Sequence, residues 1–202
     1  MKKILGLAIA ALLIMAIVGG GTWAYFSDTE TGTATISAGT LDLNINGGNS
    51  AATLISVSGK APGESGNGSA TLANVGSITG YVDVSTGTIT NTAGAGGTEF
   101  EGGSGELGGV ATIAMFIDVN NNGQYDAGTD IGLKSDGTTY TSGAMQYATI
   151  NSYGSKTWND TETLANGTTQ KIVVAWQIPT SADNTIQGDS ASFTVTVTLE
   201  QH

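Results

Sequence analysis

The stretch SFTVTVTLE, which runs from Ser192 to Glu200, alternates apolar and polar residues without interruption. Phe193, Val195, Val197 and Leu199 share one face of an extended chain, because successive side chains of a β-strand point to opposite faces. Threonine fills all three positions between them, and a β-branched residue suits the half-buried surface of a sheet. The pattern predicts a strand whose apolar face is directed toward a core.

Two other stretches predict strands of a different kind. VATIAMFIDV (Val110–Val119) and KIVVAWQI (Lys171–Ile178) are nearly continuous in apolar residues. Such runs indicate central strands that are buried on both faces. Trp176 and Phe193 lie inside strong strand patterns, so we interpret both as core residues and not as ligand contacts.

Glycine-rich segments such as INGGNS, APGESGNGS, EGGSGELGG and KSDGTTYTSG separate the apolar runs and predict turns. After Val18 no stretch repeats its apolar residues with the 3.6-residue period of a helix. Many short strands joined by glycine-rich turns are typical of a β-sandwich or jelly roll. We therefore predict an all-β, jelly-roll-like β-sandwich that forms a single domain over residues 39–202.

The N-terminus has the pattern of a secretion leader. Lys2 and Lys3 precede an apolar run that ends at Val18, and three glycines and Thr22-Trp23-Ala24 follow, with a small residue at the end. This order predicts a signal peptide over residues 1–24, with cleavage before Tyr25. The run is shorter than the ~20 apolar residues of a spanning helix. An uncleaved N-terminal anchor is the alternative.

Charge and cysteine content narrow the class of protein. Without the leader, four lysines remain against 17 acidic residues, which argues against nucleic acid or an anionic membrane surface as a partner. The chain has no cysteine, so an exported form would lack disulfide bonds. We expect a secreted, extracellular protein that meets the membrane only through its leader before cleavage.

Motifs at both ends of the chain resemble one family. These are GGTWAYFSDTETGT and SAGTLDL near the start, LANVGS at Leu72–Ser77, and the closing stretch WQIPTSADNTIQGDSASFTVTVTLEQ with its Asn184, Gln187-Gly188-Asp189 and Glu200-Gln201. The sequence is similar to the TasA/camelysin family, and archaeal bundling pili are built from similar subunits. The resemblance implies a jelly-roll domain, secretion and assembly into extracellular fibres of a biofilm matrix.

In such fibres the N-terminal segment of one subunit completes the sheet of the next. The resemblance therefore implies that residues 25–38 form a donor strand in a homopolymer whose filaments can bundle. Tyr25 would begin the segment, and Phe26, Ala34 and Ile36 share one face of an extended chain. Asp28 and Glu30 interrupt that face and require a wet rim or a bulge. A disordered tail is the alternative interpretation.

The segment DVNNNGQYDAGTD (Asp118–Asp130) is the candidate ion site. Its oxygen-bearing side chains alternate and a glycine follows, as in a calcium loop, but Thr129 stands where the loop would place a bidentate glutamate. We expect weak Ca²⁺ binding, with a dissociation constant of ~0.1–1 mM. An Asn-Gly hairpin turn without an ion is the alternative. The candidate ligands are Asp118, Asn120, Asn122, Gln124, Asp126 and Asp130.

Camelysin-like proteins are described as metallopeptidases, so an enzyme must be weighed. A zinc peptidase needs His-Glu-x-x-His or an equivalent ligand set, and this chain has one histidine, His202, and no cysteine. Without a histidine base, no serine or threonine is indicated as a nucleophile. We predict that the chain is not an enzyme.

Three Asn-x-Ser/Thr sequons begin at Asn67, Asn159 and Asn166 and are candidate glycosylation sites.

The function that the sequence favours is that of a structural filament subunit. The second hypothesis is a monomeric cell-surface adhesion module with a calcium-binding loop, and the third is a camelysin-like metallopeptidase.

Overall fold

The computed structural model of the chain describes residues 38–48, 57–58, 60–94 and 105–201. The chain divides into two units, 1–37 and 38–202, and every described residue lies in the second. The predicted leader and the donor positions Tyr25, Phe26, Ala34 and Ile36 therefore lie outside the described residues, as does His202. Within the described part, no helix has the length and apolar character needed to cross a bilayer.

Short strands supply nearly all of the regular structure in the described residues, together with one helical turn, α1, and two 3-10 turns. The strands are β1 (Leu43–Ile45), β2 (Val57–Ser58), β3 (Ser65–Asn74), β4 (Gly80–Thr86), β5 (Thr90–Thr92), β6 (Thr112–Asp118), β7 (Ile131–Leu133), β8 (Thr139–Tyr140), β9 (Ala148–Thr149), β10 (Thr157–Leu164), β11 (Thr169–Gln177), β12 (Ser190–Ser192) and β13 (Val195–Glu200). The helix α1 spans Leu107–Val110, and the 3-10 turns span Ile150–Tyr153 and Asn184–Ile186.

These strands form three antiparallel sheets. The large sheet has the order β1-β3-β11-β6-β7-β8, with β9 also paired to β6. A second sheet has the order β10-β4-β13, and a third has the order β2-β12-β5. The all-β prediction is confirmed, whereas the jelly-roll type of connection stays a prediction.

The two central strands of the large sheet are β6 and β11, each paired along both edges. Met115 lies opposite Val174 in the register, and both side chains belong to the main core. On the opposite face Phe116 and Val173 are also buried, at 2% and 1% exposure. The prediction of burial on both faces is thus confirmed for these strands.

The second sheet closes the other side of the same core. Val82 and Val84 of β4 and Trp158 of β10 are fully buried in it. The indole Nε1 of Trp158 donates to the Lys134 carbonyl at 3.0 Å, so its polar atom is paired. Outside this sheet, the predicted core positions of Trp176 and Phe193 are confirmed. Trp176 is buried in the core, and Phe193 packs against it.

Two glycine-rich segments that predicted turns form regular structure instead. β3 begins already at Ser65, inside APGESGNGS, because Gly66 lies against the indole of Trp176. A Cβ at Gly66 would come within 2.9 Å of the Trp176 ring, so the glycine here permits a close approach between strands. In EGGSGELGG, residues from Leu107 onward form α1, and Leu107 is buried in the core.

Candidate functional site

The Asp118–Asp130 segment connects β6 to β7, and the aspartates at its two ends are fully buried. The Asp118 carboxylate accepts the backbone N–H groups of Asn122 and Gly123, at 3.2 and 2.7 Å. The Asp130 carboxylate accepts those of Val119 and Asp126, at 3.0 and 2.7 Å. The two end carboxylates therefore satisfy the backbone of the loop that they enclose.

Asp126 has a different environment within the same loop. The side-chain amides of Asn120 and Asn122 both donate to its Oδ2, the first at 2.9 Å. These hydrogen bonds hold the pKa of Asp126 below its usual range. At Asp130, burial raises the pKa and the charges of Asp118 and Asp126 add to the effect, although two backbone hydrogen bonds oppose it.

The structure brings five of the six predicted calcium ligands into one hydrogen-bonded loop; the sixth, Gln124, has an exposed side chain. Asn121 and Gly123 adopt positive φ angles of 63° and 81°, as a tight Asx-rich turn requires. Nowhere in the described ranges do three or more His, Cys, Asp or Glu side chains converge as a metal site. Calcium binding here would depend on amide and carbonyl oxygens beside the carboxylates, and it stays a prediction.

A catalytic zinc does not fit the residues of this chain. Such a centre takes three protein ligands, usually histidine or cysteine with at most one or two carboxylates. The chain has no cysteine and only His202, which lies outside the described residues. No catalytic site is visible in the described part of the chain.

Asn74, in the LANVGS motif, is a buried structural hub. Its Nδ2 donates to the carbonyl oxygens of Ile78 and Leu164, at 2.8 and 2.9 Å, and its Oδ1 accepts the Gly76 N–H at 3.0 Å. The motif also holds the segment that enters β1, because Ser77 Oγ accepts the N–H of Thr40 at 2.8 Å. This motif therefore anchors the N-terminal end of the described fold.

Asp189, in the closing motif, is a second buried hub that the sequence did not identify as such. Its carboxylate accepts the backbone N–H groups of Gly94, Glu106 and Leu107, at 3.1, 2.6 and 3.2 Å. The side chain thereby joins the chain on both sides of residues 95–104 and pairs N–H groups at the start of α1. An isolated aspartate after a glycine carries no local signal for such a role.

The strand β13 has one unpaired edge. It pairs with β4 along one side, and no other described strand pairs with it. Val195, Val197 and Leu199 pack against the core yet remain half-buried, whereas Val82 and Val84 of the neighbouring β4 are 0% and 1% exposed. The apolar face of β13 is therefore incompletely covered by the described residues.

The other edge strand of the same sheet, β10, is protected against pairing with another chain. β10 breaks its register with β4 between Trp158 and Glu162, and Asp160 adopts a φ of 50°. A bulge with acidic residues is a common protection of an edge against pairing with another chain. β13 has no bulge, lysine or proline, and its one charged residue, Glu200, stands at its last position, so the edge along Val195–Leu199 lacks this protection.

The three predicted sequons are all exposed. Asn67 lies on β3, Asn159 on β10, and Asn166 in the turn between β10 and β11. Their exposure is compatible with modification, and glycosylation stays a prediction.

The chain is similar in part of its sequence to a biofilm matrix protein. It is 56% identical over 45 residues to the major biofilm matrix component of Bacillus subtilis (strain 168), a match that covers 22% of this chain and 17% of that relative. Among solved structures, the sporulation control protein Spo0M of Bacillus subtilis matches with 12% identity over 82% of this chain and 44% of that one. The TM-score of that match is 0.24.

The family model described as camelysin metallo-endopeptidase matches residues 1–202, which is the whole chain. The resemblance in the end motifs is confirmed by this match. The chain belongs to the camelysin family, which includes the biofilm matrix component TasA.

Proposed function

We propose that this protein is a secreted structural subunit of an extracellular biofilm matrix. Its subunits assemble head to tail into filaments because the N-terminal segment of one copy adds a strand to the next. The family and the matrix role of the Bacillus subtilis relative support the structural part of this proposal. The unprotected, half-buried β13 is the single observation that supports the assembly part.

The free edge of β13 suits strand addition for two reasons. Its unpaired backbone groups offer a ladder of hydrogen bonds, and its apolar side chains leave space that alternate residues of an added strand can fill. Leu43 and Ile45 of β1 are also half-buried, so apolar surface is available beyond β13 itself. A donor strand would bury this apolar surface and would also pair the free backbone N–H and C=O groups of the β13 edge.

The donor segment would leave the fold at an anchored point. The Asn74–Ser77 motif holds Thr40 and Asp42, the latter through a 2.9 Å bond from the Val75 N–H to its carbonyl oxygen. Residues 25–37 directly precede this point, and about 13 extended residues span roughly 45 Å. That length is sufficient to reach a neighbouring subunit.

The same proposal covers location, partners and enzymatic activity. The leader would carry the chain through the membrane, and its removal would free the donor strand outside the cell. The partner is another copy of the chain, and filaments can then bundle side by side. The ligand set of the chain does not fit a zinc peptidase, so we propose no proteolytic activity.

Cysteine pairs test the assembly directly, because the chain contains no cysteine of its own. Thr33→Cys or Thr35→Cys on the donor segment would be combined with Thr196→Cys or Thr198→Cys on the exposed face of β13. Oxidation is expected to give a ladder of covalent oligomers on a non-reducing gel for at least one pair. The matched control places the second cysteine at Asn159 on β10, where we expect no ladder.

Three outcomes would contradict this function. Equal ladders from the β10 control and the β13 pairs would remove β13 as the acceptor. A full-length mature protein that sediments as a monomer would favour the adhesion-module reading. Cleavage of protein substrates by repurified material would favour the peptidase.

A further inference from the structure

An open groove lies on the outer face of the large sheet, on the side opposite the main core. Its floor is formed by Phe116 of β6 and Ala175 of β11, whose neighbours Met115 and Val174 point into the core. The groove has a volume of about 430 Å³. This size falls within the ~300–1,000 Å³ typical of small-molecule sites.

The walls of the groove are held in place by an aromatic cluster. Tyr125 packs edge-on against Phe116, and it also contacts Tyr140, each at 5.6 Å between ring centroids. The Tyr140 hydroxyl accepts the Gln146 N–H at 2.8 Å. This hydrogen bond connects the wall formed by residues 143–145 to the wall that contains Tyr125. A site with walls fixed in this way loses little conformational freedom when a ligand binds.

The lining is largely apolar, with a few polar side chains and no charged one. No charged side chain is among the residues that line the groove, and two primary amides, Asn67 and Gln124, stand exposed at its rim. Neither amide hydrogen-bonds to another described residue. Each can donate and accept at once, which matches the hydroxyl groups of a neutral ligand.

We propose that this groove binds a neutral saccharide unit. Sugar hydroxyls would pair with the two rim amides, and an apolar sugar face would pack over the half-buried ring of Tyr125. The formal charge of -11 on the chain and the nearby carboxylates of Asp126 and Asp130 disfavour acidic sugars. The site lies away from the β13 edge and does not depend on assembly.

The saccharide has two sources of the same chemistry. It is either a polysaccharide of the surroundings or a glycan attached to a sequon of the protein, and the sequon asparagine Asn67 lines the groove itself. Ser69→Ala removes that sequon and leaves Asn67 in place. In protein from the native cells, an attached glycan would let added sugar bind only the Ser69→Ala variant, whereas a free polysaccharide would bind both forms.

Saturation-transfer NMR on ligand protons tests the site in monomers and filaments alike. The probes are neutral trisaccharides of glucose, galactose, mannose and N-acetylglucosamine, with a galacturonic acid trisaccharide as the acidic counterpart. We expect recombinant, unglycosylated protein to bind at least one neutral probe, and to bind the acidic probe at least tenfold more weakly.

Two variants locate the binding on the protein. Ala144→Trp fills the groove from an exposed wall position, and Gln124→Ala removes one rim amide; both should weaken binding at least fivefold. Ala165→Trp, in the exposed turn before β11, is the matched control and should bind as the parent does. The inference is overturned if no neutral probe binds at millimolar concentration, or if Ala144→Trp binds as well as Ala165→Trp.

Discussion

Leu199 of β13 packs directly over Gly80, the first residue of β4. A Cβ at Gly80 would lie 2.5 Å from the Leu199 Cγ and 2.9 Å from the Cδ2 of Leu41. The glycine thus allows leucines from β13 and from the segment before β1 to meet above the backbone of β4. This contact sets the position of Leu199 at the edge that we propose for assembly.

Gly80→Ala should therefore destabilise the fold by about 1–3 kcal/mol through overpacking. Displacement of Leu199 should also weaken filament formation. Thermal unfolding and sedimentation of the variant measure the two effects. Gly109→Ala is the control, because its Cβ would meet no atom closer than 3.7 Å, and a melting temperature equal to that of the Gly80 variant would contradict the packing argument.

Deletion of Tyr25–Thr35 should yield a secreted monomer. Phe26→Asp should weaken assembly while keeping backbone pairing, because it places a charge where an apolar side chain would contribute about 1.5–3 kcal/mol on burial. Negative-stain imaging and sedimentation of both variants beside the full-length mature protein give the measurement. Filaments from the deletion that match those of the parent would rule out strand donation.

Asp189→Ala should destabilise the domain by roughly 3 kcal/mol. The substitution leaves the N–H groups of Gly94, Glu106 and Leu107 without their acceptor. Chemical denaturation measures the loss. Asp42→Ala, at an exposed position, should change stability by no more than about 0.5 kcal/mol, and equal effects of the two substitutions would refute the hub.

Calcium should raise the stability of the protein by about 1 kcal/mol or less at millimolar concentration, as expected for a weak site. The double variant Asn120→Ala/Asn122→Ala should lose this gain, because it removes two of the predicted ligands. Melting curves with calcium and with chelator make the comparison. Identical curves for the parent protein would leave the loop as a turn that binds no ion.

The pKa values of two aspartates in the loop, Asp126 and Asp130, should be shifted in opposite directions. The pKa of Asp126 is lowered by its Asn120 and Asn122 hydrogen bonds, so its stabilising effect is present above the ordinary aspartate pKa and lost as the pH falls through the lowered value. The pKa of Asp130 is raised by burial, so its contribution is present at low pH and lost as the pH rises through the raised value. Carboxyl ¹³C NMR titration would reveal both shifts, and ordinary values at both positions would contradict the loop geometry.

Local patterns predicted the strands β6, β11 and β13 well. Strand periodicity and continuous apolar runs are set by neighbouring residues, so a single stretch carries the signal. The strand β10 was not predicted, because Asn159 and Asp160 interrupt its alternation at the point where the register shifts. The glycines of β3 predicted a turn, since the indole that Gly66 accommodates lies 110 residues away in the chain.

The candidate sites divide in the same way. The sequence by itself determined that the Asp118–Asp130 segment is an oxygen-rich turn, which follows from residue types at short spacings, and that the chain offers one histidine and no cysteine as zinc ligands. The tertiary structure alone decided that Asp118 and Asp130 turn inward to bind backbone N–H groups, that Asp189 joins distant segments, and that one edge of β13 is left unpaired by the described strands. Each of these depends on which residues far apart in the chain come into contact, and that information exists only once the sheets have packed.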